Sequence, residues 1–211
     1  MRRLPVYLVL DTSGSMVGEP IDALKAGVQI LLDTLRQDPY ALETTWISVI
    51  TFASEARLLT PLTELMQFKV PELRAGGYTS MGAALELLAD RIAKDVVKAS
   101  PSHKGDWKPM VFLLGDGVPT DEIQAGIAAL EKVVTGVVVA CAAGPMAKPD
   151  AFRQVTENVV TLDLADFNYI KAFFKWVSAS IATSSRKIET HGNAVASLGE
   201  LPPPPAEVKP V

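Results

Sequence analysis

The chain has 211 residues, of which 48% are hydrophobic and 21% are charged, and its 20 basic and 24 acidic residues give a net charge of −4. This composition predicts one globular domain with a sizeable buried core and excludes a disordered chain. Because no dense basic run is present, strong sequence-independent binding of nucleic acid is not expected. The hydrophobic runs reach about eight residues, well short of the roughly 20 that span a bilayer.

The predicted elements alternate between short apolar runs and longer amphipathic stretches, which is typical of an α/β fold with a mostly parallel sheet. The predicted strands are 4–10, 45–52, 57–62, 109–114, 137–142 and 159–162. The predicted helices begin near Glu19, Met81 and Asp121 and continue with 149–156 and 166–183. The polar stretch between the second and third strands predicts a hairpin, and therefore an antiparallel edge strand.

The N-terminal residues and the single cysteine bear on the cellular compartment, and the Pro-rich C-terminal segment bears on domain organisation. After Arg2 and Arg3 the apolar run stops at Leu10 without a small-residue cleavage site, so a secretory signal peptide is not predicted. The single cysteine, Cys141, cannot form a disulfide within the chain, and a cytoplasmic location is expected. Residues 1–185 form the predicted domain, and the Pro-rich residues 186–211 a flexible tail or a polyproline docking peptide.

Five oxygen-bearing side chains lie in three predicted loops: Asp11, Ser13 and Ser15 after the first strand, Thr79 before a helix, and Asp116 after the fourth strand. Carboxyl ends of parallel strands share one edge of a sheet, so Asp11 and Asp116 are expected to meet there. Two carboxylates and three hydroxyls suit Mg²⁺ or Mn²⁺ rather than Zn²⁺. Taken singly, each loop is also compatible with an ordinary turn or helix cap.

The ordered pattern Asp-x-Ser-x-Ser, then Thr, then Asp resembles the metal-ion-dependent adhesion site of von Willebrand factor A (vWA) domains. The resemblance covers about residues 4–184 and implies a doubly wound, six-stranded sheet with one antiparallel edge strand and helices on both faces. It implies that Asp11, Ser13, Ser15, Thr79 and Asp116 hold Mg²⁺, with Mn²⁺ or Ca²⁺ as alternatives, and that a partner's Glu or Asp completes the coordination. Gly115 stands where many relatives carry Thr.

A narrower resemblance is to the TerY-type proteins of bacterial tellurium-resistance clusters, carried by the opening 4–16, by Gly-Asp-Gly at 115–117 and by the Pro-rich end. It implies a cytoplasmic stress-response protein that works beside phosphatase- and kinase-like partners. Met16, Glu19 and Tyr78, which adjoin the loops, are predicted to contact the partner.

The main functional alternative is a Mg²⁺-dependent phosphohydrolase or phosphatase with Asp11 as an aspartyl-phosphate nucleophile. Phosphatases of that kind usually carry a second acid two positions later, where this chain has Ser13, and the three loops offer no evident basic residue. Nucleotide-binding glycine motifs are also missing from the sequence. We therefore assign no catalytic residue and predict a metal-dependent protein-binding module rather than an enzyme.

Overall fold

The computed structural model describes residues 2–144, 147–162, 167–191 and 198–211. Within those residues the strands are β1 (Leu4–Asp11), β2 (Thr45–Phe52), β3 (Ala56–Glu64), β4 (Met110–Gly115), β5 (Val138–Ala143), β6 (Val159–Leu162) and β7 (Val208–Pro210). They form one sheet in the order β3-β2-β1-β4-β5-β6-β7. Strands β2, β1, β4, β5 and β6 pair in parallel, whereas β3 and β7 are antiparallel edge strands. Strand order reverses at β1, which has β2 on one side and β4 on the other, and ligands of such sheets gather beside that reversal.

Helices cover both faces of the sheet. Among the described residues they are α1 (Glu19–Leu35), α2 (Pro39–Thr44), α3 (Met81–Asp95), α4 (Gln124–Leu130), α5 (Asp150–Arg153) and α6 (Phe167–His191). Helices α1 and α6 pack on one face, where Gly27 lets the Phe174 ring approach so closely that an added Cβ would lie 2.1 Å from it. Helices α3 and α4 pack on the other face. The predicted α/β class, with its mostly parallel sheet, is confirmed.

The apolar pattern of β1 explains why it lies at the centre. All eight of its residues are buried, and its side chains alternate between two hydrophobic clusters on opposite faces of the sheet. Leu8 and Leu10 face the cluster under α1 and α6, whereas Tyr7 and Val9 face the cluster under α3 and α4. Burial on both faces accounts for an apolar run without polar alternation.

The sheet differs from the six-stranded prediction by the additional strand β7. Its Val208 is buried and pairs with Leu162 of β6, which covers what would otherwise be an exposed sheet edge. This strand is not predicted, because it has only three residues and follows four prolines. Helix α2 was not predicted either, and the Asp38 carboxylate caps its first turn.

The segment predicted to be a flexible tail is packed over its described residues, 198–211. Leu201 is buried, the Trp176 Nε1–H donates to the Pro202 carbonyl at 2.8 Å, and the Val211 N–H donates to the Val159 carbonyl at 3.0 Å. Helix α6 also continues through the predicted boundary at 185/186 and ends at His191. The buried apolar residues on either side of the prolines, Leu201 and Val208, account for this packing.

Across the described ranges, none of the helices combines the length and the hydrophobicity needed to cross a bilayer.

Candidate metal centre

The first loop turns sharply at the end of β1. The Ser13 N–H donates to Asp11 Oδ1 at 2.7 Å, which folds the loop back over the carboxylate. A single 3₁₀ turn, Gly14–Met16, then brings the Ser15 hydroxyl to 3.0 Å from the Ser13 hydroxyl. The loop thereby gathers one carboxylate and two hydroxyls over five residues.

The third loop joins the first through Asp116, which directly follows β4. The Ser15 hydroxyl donates to Asp116 Oδ2 at 2.9 Å, and the Asp116 N–H lies 3.4 Å from Asp11 Oδ2. The other Asp116 oxygen accepts from the Val118 N–H at 2.9 Å, which fixes the orientation of the carboxylate. The structure thus brings the four predicted residues of these two loops into one hydrogen-bonded group.

The second loop, which carries Thr79, is attached to both of the others. Two backbone hydrogen bonds join it to the first loop: the Gly14 N–H donates to the Gly77 carbonyl at 3.0 Å, and the Gly76 N–H donates to the Thr12 carbonyl at 2.9 Å. Thr79 itself is buried at 6% exposure. Its N–H donates to the Thr120 hydroxyl at 3.0 Å, and its carbonyl accepts from the Thr120 N–H at 2.9 Å. These bonds hold the second loop against the first loop and against the segment after Asp116, and metal ligation by Thr79 stays a prediction.

Two residues that support the second loop were missed by sequence reasoning. Thr120 joins it to the segment after Asp116, and the Asp121 carboxylate accepts from the Gly82 and Ala83 N–H groups at 3.0 and 2.9 Å. Asp121 thus caps the first turn of α3 from a distant part of the chain. Ser80, which sequence would assign as the cap, instead donates to the Ser54 carbonyl. The only feature of the sequence that could have indicated this support is an acidic residue, Asp121, five positions after Asp116.

Burial of Asp11 sets the electrostatics of the site. The residue is fully buried, and within the described chain no lysine or arginine forms an ion pair with it. Burial is the main cause that raises the pKa of Asp11 to about 6, and the Asp116 carboxylate raises it further. Hydrogen bonds from Ser13 act in the opposite direction. The site therefore holds concentrated negative potential, which a cation would relieve.

Gly115 has a packing role at this site. A Cβ at this position would lie 2.8 Å from Asp11 Oδ2, closer than Cβ atoms approach other heavy atoms in proteins, and 3.0 Å from Asp11 Cβ, which is a tight contact. Asp11 occupies the space that a side chain at 115 would need. Gly115, in place of the Thr of many relatives, therefore allows the ends of β1 and β4 to lie close together.

The donor set fits a hard divalent cation. Asp11 and Asp116 would supply carboxylate oxygens, and Ser13, Ser15 and Thr79 would supply hydroxyl oxygens. Such ligands suit Mg²⁺, Mn²⁺ or Ca²⁺, whereas zinc prefers nitrogen and sulfur. The described residues contain no group of three or more His, Cys, Asp and Glu side chains that could hold a metal, and this site would bind one through two carboxylates and three hydroxyls.

Of the three residues predicted to contact a partner, Met16 does not lie on the surface. Its side chain is 1% exposed and belongs to the hydrophobic core, because the 3₁₀ turn directs it inward. The prediction that Met16 contacts a partner is therefore wrong. Glu19 is exposed at the start of α1, and Tyr78 is exposed beside Thr79.

A family model for the von Willebrand factor type A domain matches residues 6–118, which is more than half of the chain and includes all three loops. The uncharacterized protein sll0103 of Synechocystis sp. is 32% identical over 123 residues. That match covers 55% of this chain and 26% of the relative, so the chain spans about a quarter of the relative's length.

Solved structures share the fold at low sequence identity. A von Willebrand factor type A protein from Catenulispora acidiphila matches with a TM-score of 0.64 at 19% identity, over 86% of this chain and 43% of that one. The pilus adhesin SpaC of Lactobacillus rhamnosus GG, in its open conformation, matches with a TM-score of 0.71 at 15% identity, over 87% and 30% of the two chains. Proximal thread matrix protein 1 of the mussel byssus, whose adhesion-site motif holds zinc, matches with a TM-score of 0.57 at 19% identity, over 84% and 45%.

Proposed function

The chain belongs to the von Willebrand factor type A domain family, and from that premise we propose that it is a metal-dependent protein-binding module. Domains of this family generally mediate metal-dependent protein interactions. In the proposal, Asp11, Ser13, Ser15, Thr79 and Asp116 hold Mg²⁺, and a Glu or Asp of the partner binds the same ion. Mg²⁺ takes octahedral oxygen coordination, so it leaves room for a ligand from outside the chain.

The observation that carries the proposal is the hydrogen bond from the Ser15 hydroxyl to Asp116 Oδ2, at 2.9 Å. It joins residues 101 positions apart and brings hydroxyl and carboxylate oxygens of two loops together near the partly exposed surface. A set of oxygens that is already gathered needs little rearrangement to bind a cation, which favours affinity.

The burial of Asp11 bears on the phosphatase alternative. A carboxylate that attacks phosphorus must be reachable by the substrate, and Asp11 is 0% exposed. Its hydrogen bond from the Ser13 N–H orients one oxygen inside the loop. These contacts suit a residue that anchors a cation better than they suit a nucleophile.

The finer parts of the proposal concern the cellular setting. The narrow resemblance to TerY-type proteins supports a cytoplasmic module in a bacterial tellurite or stress-response assembly. Phosphatase- or kinase-like proteins of that assembly would supply the acidic side chain. Pilus adhesins share the fold, so capture of partners from fractionated cells, with Mg²⁺ or with EDTA, is the measurement that checks the compartment.

The test of the metal site is thermal unfolding with Mg²⁺ and with EDTA. Wild type is expected to melt at a higher temperature with Mg²⁺, whereas Asp11→Ala and Asp116→Ala lose this shift. Ser15→Ala is the variant least disturbing to the fold, because Ser15 is exposed, and it should lose most of the shift as well.

Asp33→Ala is the matched control. Asp33 is an exposed aspartate near the far end of α1, roughly 20 Å along the helix from the loops, so its removal should leave the Mg²⁺ shift unchanged. Equal Mg²⁺ shifts in wild type and in all four variants would refute the metal site.

A further inference from the structure

Three large apolar side chains are exposed beside the metal site, one from each loop. Val17 is 61% exposed, Tyr78 is 71% exposed and Val118 is 39% exposed. We call these three residues the apolar rim. Singly exposed apolar residues are common on protein surfaces, but three around one polar site indicate an interaction surface.

The hydrogen bonds between the loops keep the apolar rim together. Val17 follows Ser15 by two positions, Tyr78 lies directly before Thr79, and Val118 follows Asp116 by two. Each rim residue is thus one or two positions from a predicted metal ligand. Hydrogen bonds join the three loops to one another, so the three rim residues belong to one connected surface. Residues one or two positions apart have Cα atoms within roughly 7 Å of each other, so the rim lies next to the proposed ligands in all three loops.

The exposure of the rim is built into the backbone of the loops. The Val17 N–H donates to the Gly14 carbonyl at 3.3 Å, the Tyr78 N–H to the Ser54 hydroxyl at 3.2 Å, and the Val118 N–H to Asp116 Oδ1 at 2.9 Å. Met16, next to Val17, is buried in the core. The chain thus buries one apolar residue of this loop and holds its neighbour in solvent, so a partner would meet a preorganised surface.

Charge at the rim restricts the chemistry of the partner. Glu19 is exposed two positions after Val17, and it would repel a second carboxylate placed beside the one on the metal. Apolar partner side chains, by contrast, would bury the rim and exclude water from the metal–carboxylate bond. Contacts that exclude water around a central polar bond strengthen that bond, because the local dielectric falls.

We infer that the partner presents a single Glu or Asp flanked by apolar or aromatic side chains, rather than a run of acidic residues, and that the apolar rim selects these flanks. The inference rests on the proposed function, because it names the partner class for the same metal site. Val17, Tyr78 and Val118 are its specificity-determining residues.

A peptide-display library with a central Glu and three randomised positions on each side tests the inference. Selection on the immobilised full chain in Mg²⁺ is expected to enrich aliphatic and aromatic residues beside the Glu and to deplete Asp and Glu. The strongest peptide, and the same peptide with Gln in place of the central Glu, are then measured by isothermal titration calorimetry.

The variant that removes the apolar rim combines Val17→Ser, Tyr78→Ser and Val118→Ser. It should lower the affinity for the selected peptide by about tenfold or more, as expected when apolar anchors of an interface are truncated. Its Mg²⁺ thermal shift should persist, since none of the three is a proposed ligand.

Val134→Ser is the matched control for the rim variant. Val134 is 67% exposed and precedes β5, so it lies at the amino ends of the parallel strands, whereas the metal site lies at their carboxyl ends. Its replacement should therefore leave peptide affinity unchanged. The two levels of the proposal fail differently. Binding that needs Mg²⁺ and the central Glu but shows no preference in the flanks, or is unaffected in the rim variant, overturns the inference alone. Binding that needs neither Mg²⁺ nor the central Glu overturns the proposed function and the inference together.

Discussion

Replacement of Asp11 by Asn should stabilise the metal-free protein, although it removes a proposed metal ligand. Asp11 is fully buried and lies beside Asp116, so its ionised form is unfavourable without a cation. Asn has nearly the same shape, stays neutral at every pH, and keeps an oxygen that can accept from the Ser13 N–H as Asp11 Oδ1 does at 2.7 Å.

The magnitude follows from the pKa. It rises from an ordinary 3.8 to about 6, which is about 2 units and corresponds to ~3 kcal/mol. Between these two values the folded chain holds a proton that the unfolded chain has released. The free energy of unfolding therefore falls as pH rises through this window, and ~3 kcal/mol from this one group is lost by pH 7. Asp11→Asn does not show this loss. The free energies of unfolding of wild type and variant should therefore be similar near pH 4, and the variant should be more stable by up to ~3 kcal/mol at pH 7.

A bound cation should reverse the order of the two proteins. Wild type gains ~4.1 kcal/mol when Mg²⁺ is present at about 1,000 times its dissociation constant, which exceeds the ~3 kcal/mol that ionised Asp11 costs, whereas Asp11→Asn should gain little. The assay is urea unfolding followed by circular dichroism, at pH values from 4 to 8, in EDTA and in Mg²⁺. The difference in free energy of unfolding between wild type and variant reports the contribution of Asp11 alone, because the other carboxylates are present in both proteins.

Asp11→Ala is the control for this comparison. It removes the charge and also the acceptor of the buried Ser13 N–H, and an unpaired buried donor costs about 1–3 kcal/mol. It should therefore be less stable than Asp11→Asn in EDTA. The reasoning is refuted if Asp11→Asn is no more stable than wild type in EDTA at pH 7, or if their difference does not vary with pH.

Three further predictions concern residues around the site and the C-terminal segment. Gly115→Ala should displace the Asp11 carboxylate, since the added Cβ would lie 2.8 Å from its Oδ2, and should weaken Mg²⁺ binding measured by calorimetry; unchanged affinity would contradict the packing argument. Asp121→Ala should lower the free energy of unfolding by about 1 kcal/mol through loss of the α3 cap, whereas an effect within error would show that the cap is dispensable. Truncation after Glu200 removes buried Leu201 and Val208, each worth about 1.5–3 kcal/mol, and should shift the tryptophan fluorescence of the chain to the red as Trp176 becomes exposed; an unaltered spectrum and stability would support the flexible tail.

Much of the fold is predictable because burial determines both the apolar pattern and the element type. The runs that become β1 and β4 have no polar face, and both of these strands are buried throughout. The hairpin before β3 follows from a short polar gap between two strand patterns. The three-residue strand β7 carries no such pattern, since its assignment depends on the open edge of β6 rather than on its own residues.

The site is predictable to the extent that strand ends place it. Asp11 and Asp116 end adjacent parallel strands, so their meeting follows from topology. The direction of a side chain within a loop does not follow, because neither the strand nor the helix period applies there. Met16 was therefore assigned to the surface although the 3₁₀ turn buries it, and the support from Thr120 and Asp121 was missed because it comes through tertiary contacts.

The contacts of Asp11 link the stability of the domain to the proposed binding. Gly115 leaves room for the Asp11 carboxylate, and burial then raises the free energy of its ionised form in the absence of a cation. A cation would remove that penalty while Ser15 and Asp116 remain near the partly exposed surface, where an outside ligand can approach. The same group that weakens the metal-free fold at neutral pH would therefore increase the affinity of the folded domain for the ion, since binding relieves an unfavourable charge already present.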